Sequence, residues 1–233
     1  MLTLIQIKSF LSISQSESSK DNLLKGFIAD AVSELNSLCN RRLDWSEQTE
    51  ILSGSGGTTL VLENYPVSKV SSIEILKGTW ENLFTPPDTF DTSAILLREI
   101  GIIKLLKSYL FPKGESNIRV SYGAGYKGAD DWAPNVNYAI GDYSRYNDAI
   151  YKCITAHTSG TTFDSSKWEP DSAKAVPESL AKALKHLAAK QFYESPAGKN
   201  LFMKSSESIS SKQTDFKDID ISAIVHSFRS TNV

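Results

Sequence analysis

The stretch DDWAPNVNYAIGDYSRYNDAIYKCITAHTSGTTFDSSKWEPD, Asp130 to Asp171, differs in composition from everything around it. It carries Trp132, Tyr138, Tyr143, Tyr146, Tyr151, Phe163 and Trp168 but almost no Leu, Ile or Val from which to build an ordinary core. Aromatic rings must therefore do the packing, each removing a large apolar surface from water. Turn signals lie close together at Ala133-Pro134-Asn135, Gly141-Asp142, Asn147-Asp148 and Thr158-Ser159-Gly160-Thr161. Short alternating segments between them, such as Ala149 to Ile154, predict strands of a small antiparallel sheet. A unit of this size is at the lower limit for independent folding, where disulfides or metals usually help. Only Cys153 is available here, and His157 has no second ligand at metal spacing.

Working outward, the chain reads as a host domain into which this module is placed, and 233 residues suffice for both. The predicted division is residues 1–126 with 173–233 for the host, and 127–172 for the insert. The class is α+β: a helical bundle with a small antiparallel β domain, plus an inserted all-β, aromatic-rich module. Thr3-Leu4-Ile5-Gln6 is a capping box for a helix over Leu4 to Leu11. After the Ser-rich break Ser12 to Ser19, the stripe Leu23, Leu24, Phe27, Ile28, Ala31, Val32, Leu35, Leu38 and Cys39 predicts a long amphipathic helix. Arg41-Arg42 then complements its dipole and needs no ligand.

The period next changes to two, giving strands over Thr49 to Leu52, Thr58 to Leu62, Val70 to Leu76, Ala94 to Arg98, Ile102 to Leu106 and Ile118 to Tyr122. Gly54-Ser55-Gly56-Gly57 lacks the Lys-Ser/Thr pair of a phosphate loop and leads into no helix, so it reads as a hairpin turn. Beyond the insert, Pro177 suits the first turn of a helix whose stripe runs from Leu180 to Phe192. On that helix Lys182, Lys185 and Lys190 read as a solvated face. Pro196-Ala197-Gly198 ends it, a polar segment follows to Lys217, and Ile219 to Phe228 forms a short apolar helix.

A formal net charge of −2 excludes a bulk basic field for nucleic acid. Cys39 and Cys153 make no disulfide framework and read as free thiols. The start, Met1 to Phe10, is broken by Gln6 and Lys8 and is not expected to act as a signal peptide. No apolar run reaches membrane-spanning length, so no membrane partner is expected. The one tight acidic pair near the module, Asp130-Asp131, is adjacent in sequence, whereas glycoside hydrolysis needs two carboxylates facing across a cleft. The reading therefore assigns no catalytic residue, no cofactor and no metal.

The order Trp132, Tyr138-x-x-Gly141-Asp142, Tyr146-Asn147, Ile150-Tyr151-Lys152-Cys153, His157-Thr158-Ser159-Gly160, Trp168-Glu169-Pro170 resembles the small chitin- and cellulose-binding modules of carbohydrate-binding families 5 and 12. The resemblance implies polysaccharide binding by rings stacked on sugar faces, with Trp132, Tyr143, Tyr146 and Trp168 as the stacking candidates. Of the aromatic residues, Trp132, Tyr151 and Trp168 read first as core or clasp residues, and Tyr143 and Tyr146, around a Ser-Arg turn, as the better exposed stacking positions. Where many such modules carry a tryptophan-rich segment, this chain has Thr155-Ala156-His157.

The host segments resemble the head-tail connector (adaptor) family of tailed bacteriophages. The features that carry this are the Leu4-to-Leu11 helix, the long helix ending Cys39-Asn40-Arg41-Arg42-Leu43, the stretch Leu62-x-x-Tyr65-Pro66-Val67-x-x-Val70-x-x-Ile73, the strand Ile118 to Tyr126, the Val176-Pro177-Glu178 helix start, and Ile224-Val225-x-x-Phe228-Arg229. The resemblance implies a structural virion protein of the neck, assembled in the host cytoplasm. There it forms a homo-oligomeric ring, commonly a dodecamer, between the portal protein and a stopper or tail-completion protein, and genomic DNA passes through the lumen without specific binding. A closed ring needs two different complementary faces, for which the long helix and the Pro177 helix are the candidates. The tail residues Ile219, Ile221, Ile224, Val225 and Phe228 are candidates for portal docking. Loops that tolerate inserted modules face outward, which places the module on the periphery. The alternative is a polysaccharide-binding protein whose insert attaches to host or environmental glycan.

Overall fold

A computed structural model describes residues 1–199 and 221–229. The chain is mixed α/β with several antiparallel sheets. Among the described residues its helices include α1 (Leu4–Phe10), α2 (Asp21–Cys39), the single turn α3 (Phe90–Ser93), α4 (Glu178–Glu194) and α5 (Ile221–Phe228). The capping box is formed: the Thr3 side chain accepts from the Gln6 amide, and Gln6 in turn accepts from the Thr3 amide. The Ser-rich break folds around a buried ammonium, since Lys8 Nζ donates to Glu17 O at 2.7 Å and pairs with Asp21 at 2.5 Å. α2 ends where Asn40 takes the left-handed conformation that short polar residues tolerate at a helix C-terminus. Leu24, Ala31 and Leu35 of α2 meet Leu184, Ala188 and Phe192 of α4 in a core that Ile7 of α1 completes.

The strands β1 (Ser46–Gly54), β3 (Val67–Lys77), β4 (Thr79–Asn82) and β7 (Gly114–Ala124) form a sheet of order β1-β7-β3-β4. A second sheet, of order β2-β6-β5, comprises β2 (Thr59–Val61), β5 (Ala94–Leu97) and β6 (Ile102–Leu105). Both contribute to a second core of Leu60, Ile73, Ile103, Ile118, Val120 and Tyr122. The Gly54–Gly57 turn differs from the expected hairpin. β1 and β2 belong to different sheets, so this turn carries the chain from one layer to the other. A Cβ at Gly54 would lie 1.8 Å from Pro112 O, and this close approach, rather than phosphate, accounts for the glycine.

The strands of the module and its flanks are β8 (Tyr126–Lys127), β9 (Asp130–Asp131), β10 (Asn137–Tyr138), β11 (Tyr143–Tyr146), β12 (Ala149–Cys153), β13 (His157–Thr158), β14 (Trp168–Asp171) and β15 (Lys174–Ala175). Four of them form a sheet of order β14-β12-β11-β9, and β10 pairs with β13. The sheet is not wholly antiparallel as predicted, because β9 runs parallel to β11. β8 and β15 lie side by side, with Tyr126 opposite Lys174. The chain therefore returns, at Lys174, to the place it left at Tyr126. Gly125 makes the turn into this junction at φ +101°, where a Cβ would lie 2.6 Å from Asp44 O.

Candidate functional site

The aromatic residues of the module form one interlocked cluster with Phe163 at its centre. The Phe163 ring stacks on Tyr146 at 4.2 Å with planes 6° apart, and on Trp168 at 5.7 Å and 24°. Trp132 meets both Tyr146 and Phe163 edge-on, at 5.8 and 5.9 Å. Tyr138 and His157 close the far side against Trp168. Offset-stacked and edge-to-face contacts of this kind contribute beyond simple burial, which explains how a sheet so poor in aliphatic residues holds together.

The four stacking candidates are thereby sorted. Trp132, Tyr146 and Trp168 come together. Trp168 is only 4% exposed, so its rings are packing surface, in keeping with its reading as a core residue. Trp132 and Tyr146 remain half-buried. Tyr143 lies elsewhere, because side chains three apart on a strand point to opposite faces. Its ring faces the host, with the Lys127 ammonium 3.8 Å from its centroid.

Lys127 organises the junction. Its ammonium also lies 4.4 Å from the Trp45 ring centroid of the host and bonds Asp171 at 2.8 Å, with both charged side chains less than one-fifth exposed. Burial alone would raise the Asp171 carboxyl pKa, but bonds from Lys127 and the Ala173 amide, with the Lys127 charge, hold it below its ordinary value. The acidic pair is equally structural. Asp130 accepts from Thr3 Oγ1, with its pKa raised by burial, and Asp131 pairs with Arg145 at 2.7 Å. Beside these contacts lies a cleft of about 830 Å³ lined by Lys127, Arg145, Asp171, Lys174, Glu178 and Lys185. Among the described residues no three His, Cys, Asp or Glu side chains come together to hold a metal, and no helix is long and apolar enough to cross a membrane.

The tail helix α5 packs on its own chain. Ile221, Val225 and Phe228 rest against the helical core, Phe228 meets the Tyr126 ring edge-on at 6.1 Å, and Ile224 is half-buried. Ile219 lies outside the described residues. Arg41 does more than complement a helix dipole. Its guanidinium covers the Tyr65 ring at 3.9 Å and donates to Phe228 O at 2.6 Å and to Tyr65 O, tying α5 to the end of α2. Neither Arg41 nor Lys127 could be singled out from sequence, since the partners of each are far away along the chain.

The described chain thus combines a helical core, a two-sheet core and a small aromatic module. The chain belongs to the head completion protein family, whose sequence model matches residues 1–146. Residues 131–180 match carbohydrate-binding module family 5/12. Among solved structures, the fold is similar to a chain from the neck of an empty GTA particle computed with C6 symmetry (TM-score 0.55, 14% identity, covering 100% of this chain and 91% of that one). It is also similar to a chain from the virion of a native gene transfer agent (GTA) particle, with TM-score 0.54, 14% identity and the same coverage. No curated protein matches.

Proposed function

We propose that this protein is a structural component of the neck of a tailed phage-like particle, where it forms a ring between the portal and a stopper or tail-completion protein. The observation that carries this reading is the family match over residues 1–146, joined to a fold likeness that extends over the whole chain to a neck protein. The host comprises residues 1–126 and 173–233, a helical bundle with a small antiparallel β domain. Residues 127–172 are the inserted all-β module, held at the ring's periphery. No catalytic step is part of the role, and DNA crosses the lumen without being gripped, since clustered Lys and Arg would bind its backbone tightly. α5, none of whose residues is buried, is the segment proposed to engage the portal. The test is native mass spectrometry and particle imaging of the purified chain with and without its portal. A ring, alone or on the portal, supports the reading, and a chain that stays monomeric with portal present overturns it.

A second reading is favoured by the half-exposed Trp132 and Tyr146 rings around Phe163. In this reading the module stacks these rings on polysaccharide and gains avidity from the ring's multiplicity. Retention on insoluble chitin or cellulose that is lost in Trp132→Ala and Tyr146→Ala supports it. Equal retention of both variants refutes it.

A further inference from the structure

The outward face of α2 carries features that packing within the chain does not explain. Gly26 lies inside a 19-residue helix, and a Cβ built there meets nothing within 4 Å. A glycine in a helix interior weakens the helix relative to alanine, and neither a turn nor a close approach within this chain requires it. On the same face, Leu23 and Leu38 are exposed at 39% and 44%, whereas a solvated face would carry polar residues. Between them Asp30 and Glu34 stand four apart, a like-charge spacing that destabilises an isolated helix. Both are exposed, and neither has an ion-pair partner among the described residues.

α4 exposes two lysines, with Glu178 and Glu194 one turn outside them. Lys182 and Lys190 stand on its exposed strip, and they too lack an ion-pair partner among the described residues. α2 and α4 pack against each other through their buried faces, so the acidic and basic strips point away from one another and do not meet within one subunit. A helix rise of about 1.5 Å per residue sets the two lysines about 12 Å apart, so they bracket two carboxylates about 6 Å apart.

We propose that the α2 face of Leu23, Gly26, Asp30, Glu34 and Leu38 receives the Lys182 and Lys190 face of α4 from a second copy of this chain. Gly26 provides the close approach, and the leucines seal the contact at both ends. Two different faces on one subunit make a head-to-tail contact, the type from which closed rings are built. This inference rests on the ring reading above and names the surfaces that close the ring.

The test uses particles assembled with variant chains. Cys39 and Cys153 are buried, so added cysteines report without background. Asp30→Cys combined with Lys182→Cys is expected to give, on mild oxidation, a ladder of covalent multimers of this chain, which neither single variant gives. Gly26→Leu is expected to leave the subunit's thermal stability undiminished while lowering the yield of complete particles by roughly tenfold or more. Lys182→Glu with Lys190→Glu should lower that yield similarly, and adding Asp30→Lys with Glu34→Lys should restore it. Particles that hold many copies of the chain, give no ladder and tolerate Gly26→Leu overturn this contact and leave the ring standing. Cross-links to a different protein also overturn it. Particles holding a single copy overturn the ring reading and this contact with it.

Discussion

Lys127→Met tests whether the module is held in a set orientation. The methionine keeps most of the aliphatic stem, so packing between Trp45 and Tyr143 is largely retained and the charge is what disappears. The lost charge-assisted bond to Asp171, at 2.8 Å between two mostly buried side chains, is worth about 1.5–3 kcal/mol. The two cation–π contacts add about 0.5–1 kcal/mol each. The sum, about 2.5–5 kcal/mol, corresponds in a chain of this size to a melting temperature lower by about 5–20 °C. The acid response supplies a second reading of the same contact. The folded pKa of Asp171 lies below its ordinary value of 3.8, so its contribution is fully present above that value and is lost as pH falls through the depressed one. In Lys127→Met the carboxyl no longer has the cation that depresses it, and this part of the acid sensitivity is blunted. Calorimetry from pH 7 down to pH 2 measures both effects. A melting shift under about 2 °C together with an unchanged acid profile would refute the clamp.

Three further outcomes follow from the geometry. Phe163→Ala removes the half-buried ring on which Tyr146 and Trp168 stack; it should cost about 3 kcal/mol, the low end for a Phe→Ala change, and abolish the near-ultraviolet dichroism of Trp132 and Trp168, as thermal scans of fluorescence and dichroism would show. Gly125→Ala places a Cβ against Asp44 O at positive φ and should destabilise by at least about 2 kcal/mol, read as a lower urea midpoint. Arg41→Ala frees the tail helix from Phe228 O and Tyr65 O, and hydrogen exchange of residues 221–228 should accelerate by roughly tenfold to a hundredfold, with the β1–β7 amides unaffected.

The elements were legible where they repeat. The Leu24, Ala31, Leu35 and Leu180, Leu184, Leu187 stripes carry the helical period, and the core strands alternate, because one buried face imposes its period on the chain. Missing were the β3–β4 hairpin and the crossing at Gly54, where the sequence marks a turn but not the sheet to which the next strand belongs. The aromatic composition of residues 130–171 was equally plain. Which way Tyr143 and Tyr146 face was not, since only the pairing of β11 decides which side of the strand meets Lys127 and which meets Phe163.

Composition and periodicity, which are local, thus determined the helices, most strands, the aromatic character of residues 130–171 and the two family resemblances. Tertiary structure alone decided that Phe163 is the hub of the aromatic cluster, that Lys127 joins Trp45, Tyr143 and Asp171, and that Arg41 holds the tail helix. Each of these is a contact between residues brought close by folding, and a side chain's local sequence does not reveal the partner that the fold will place beside it.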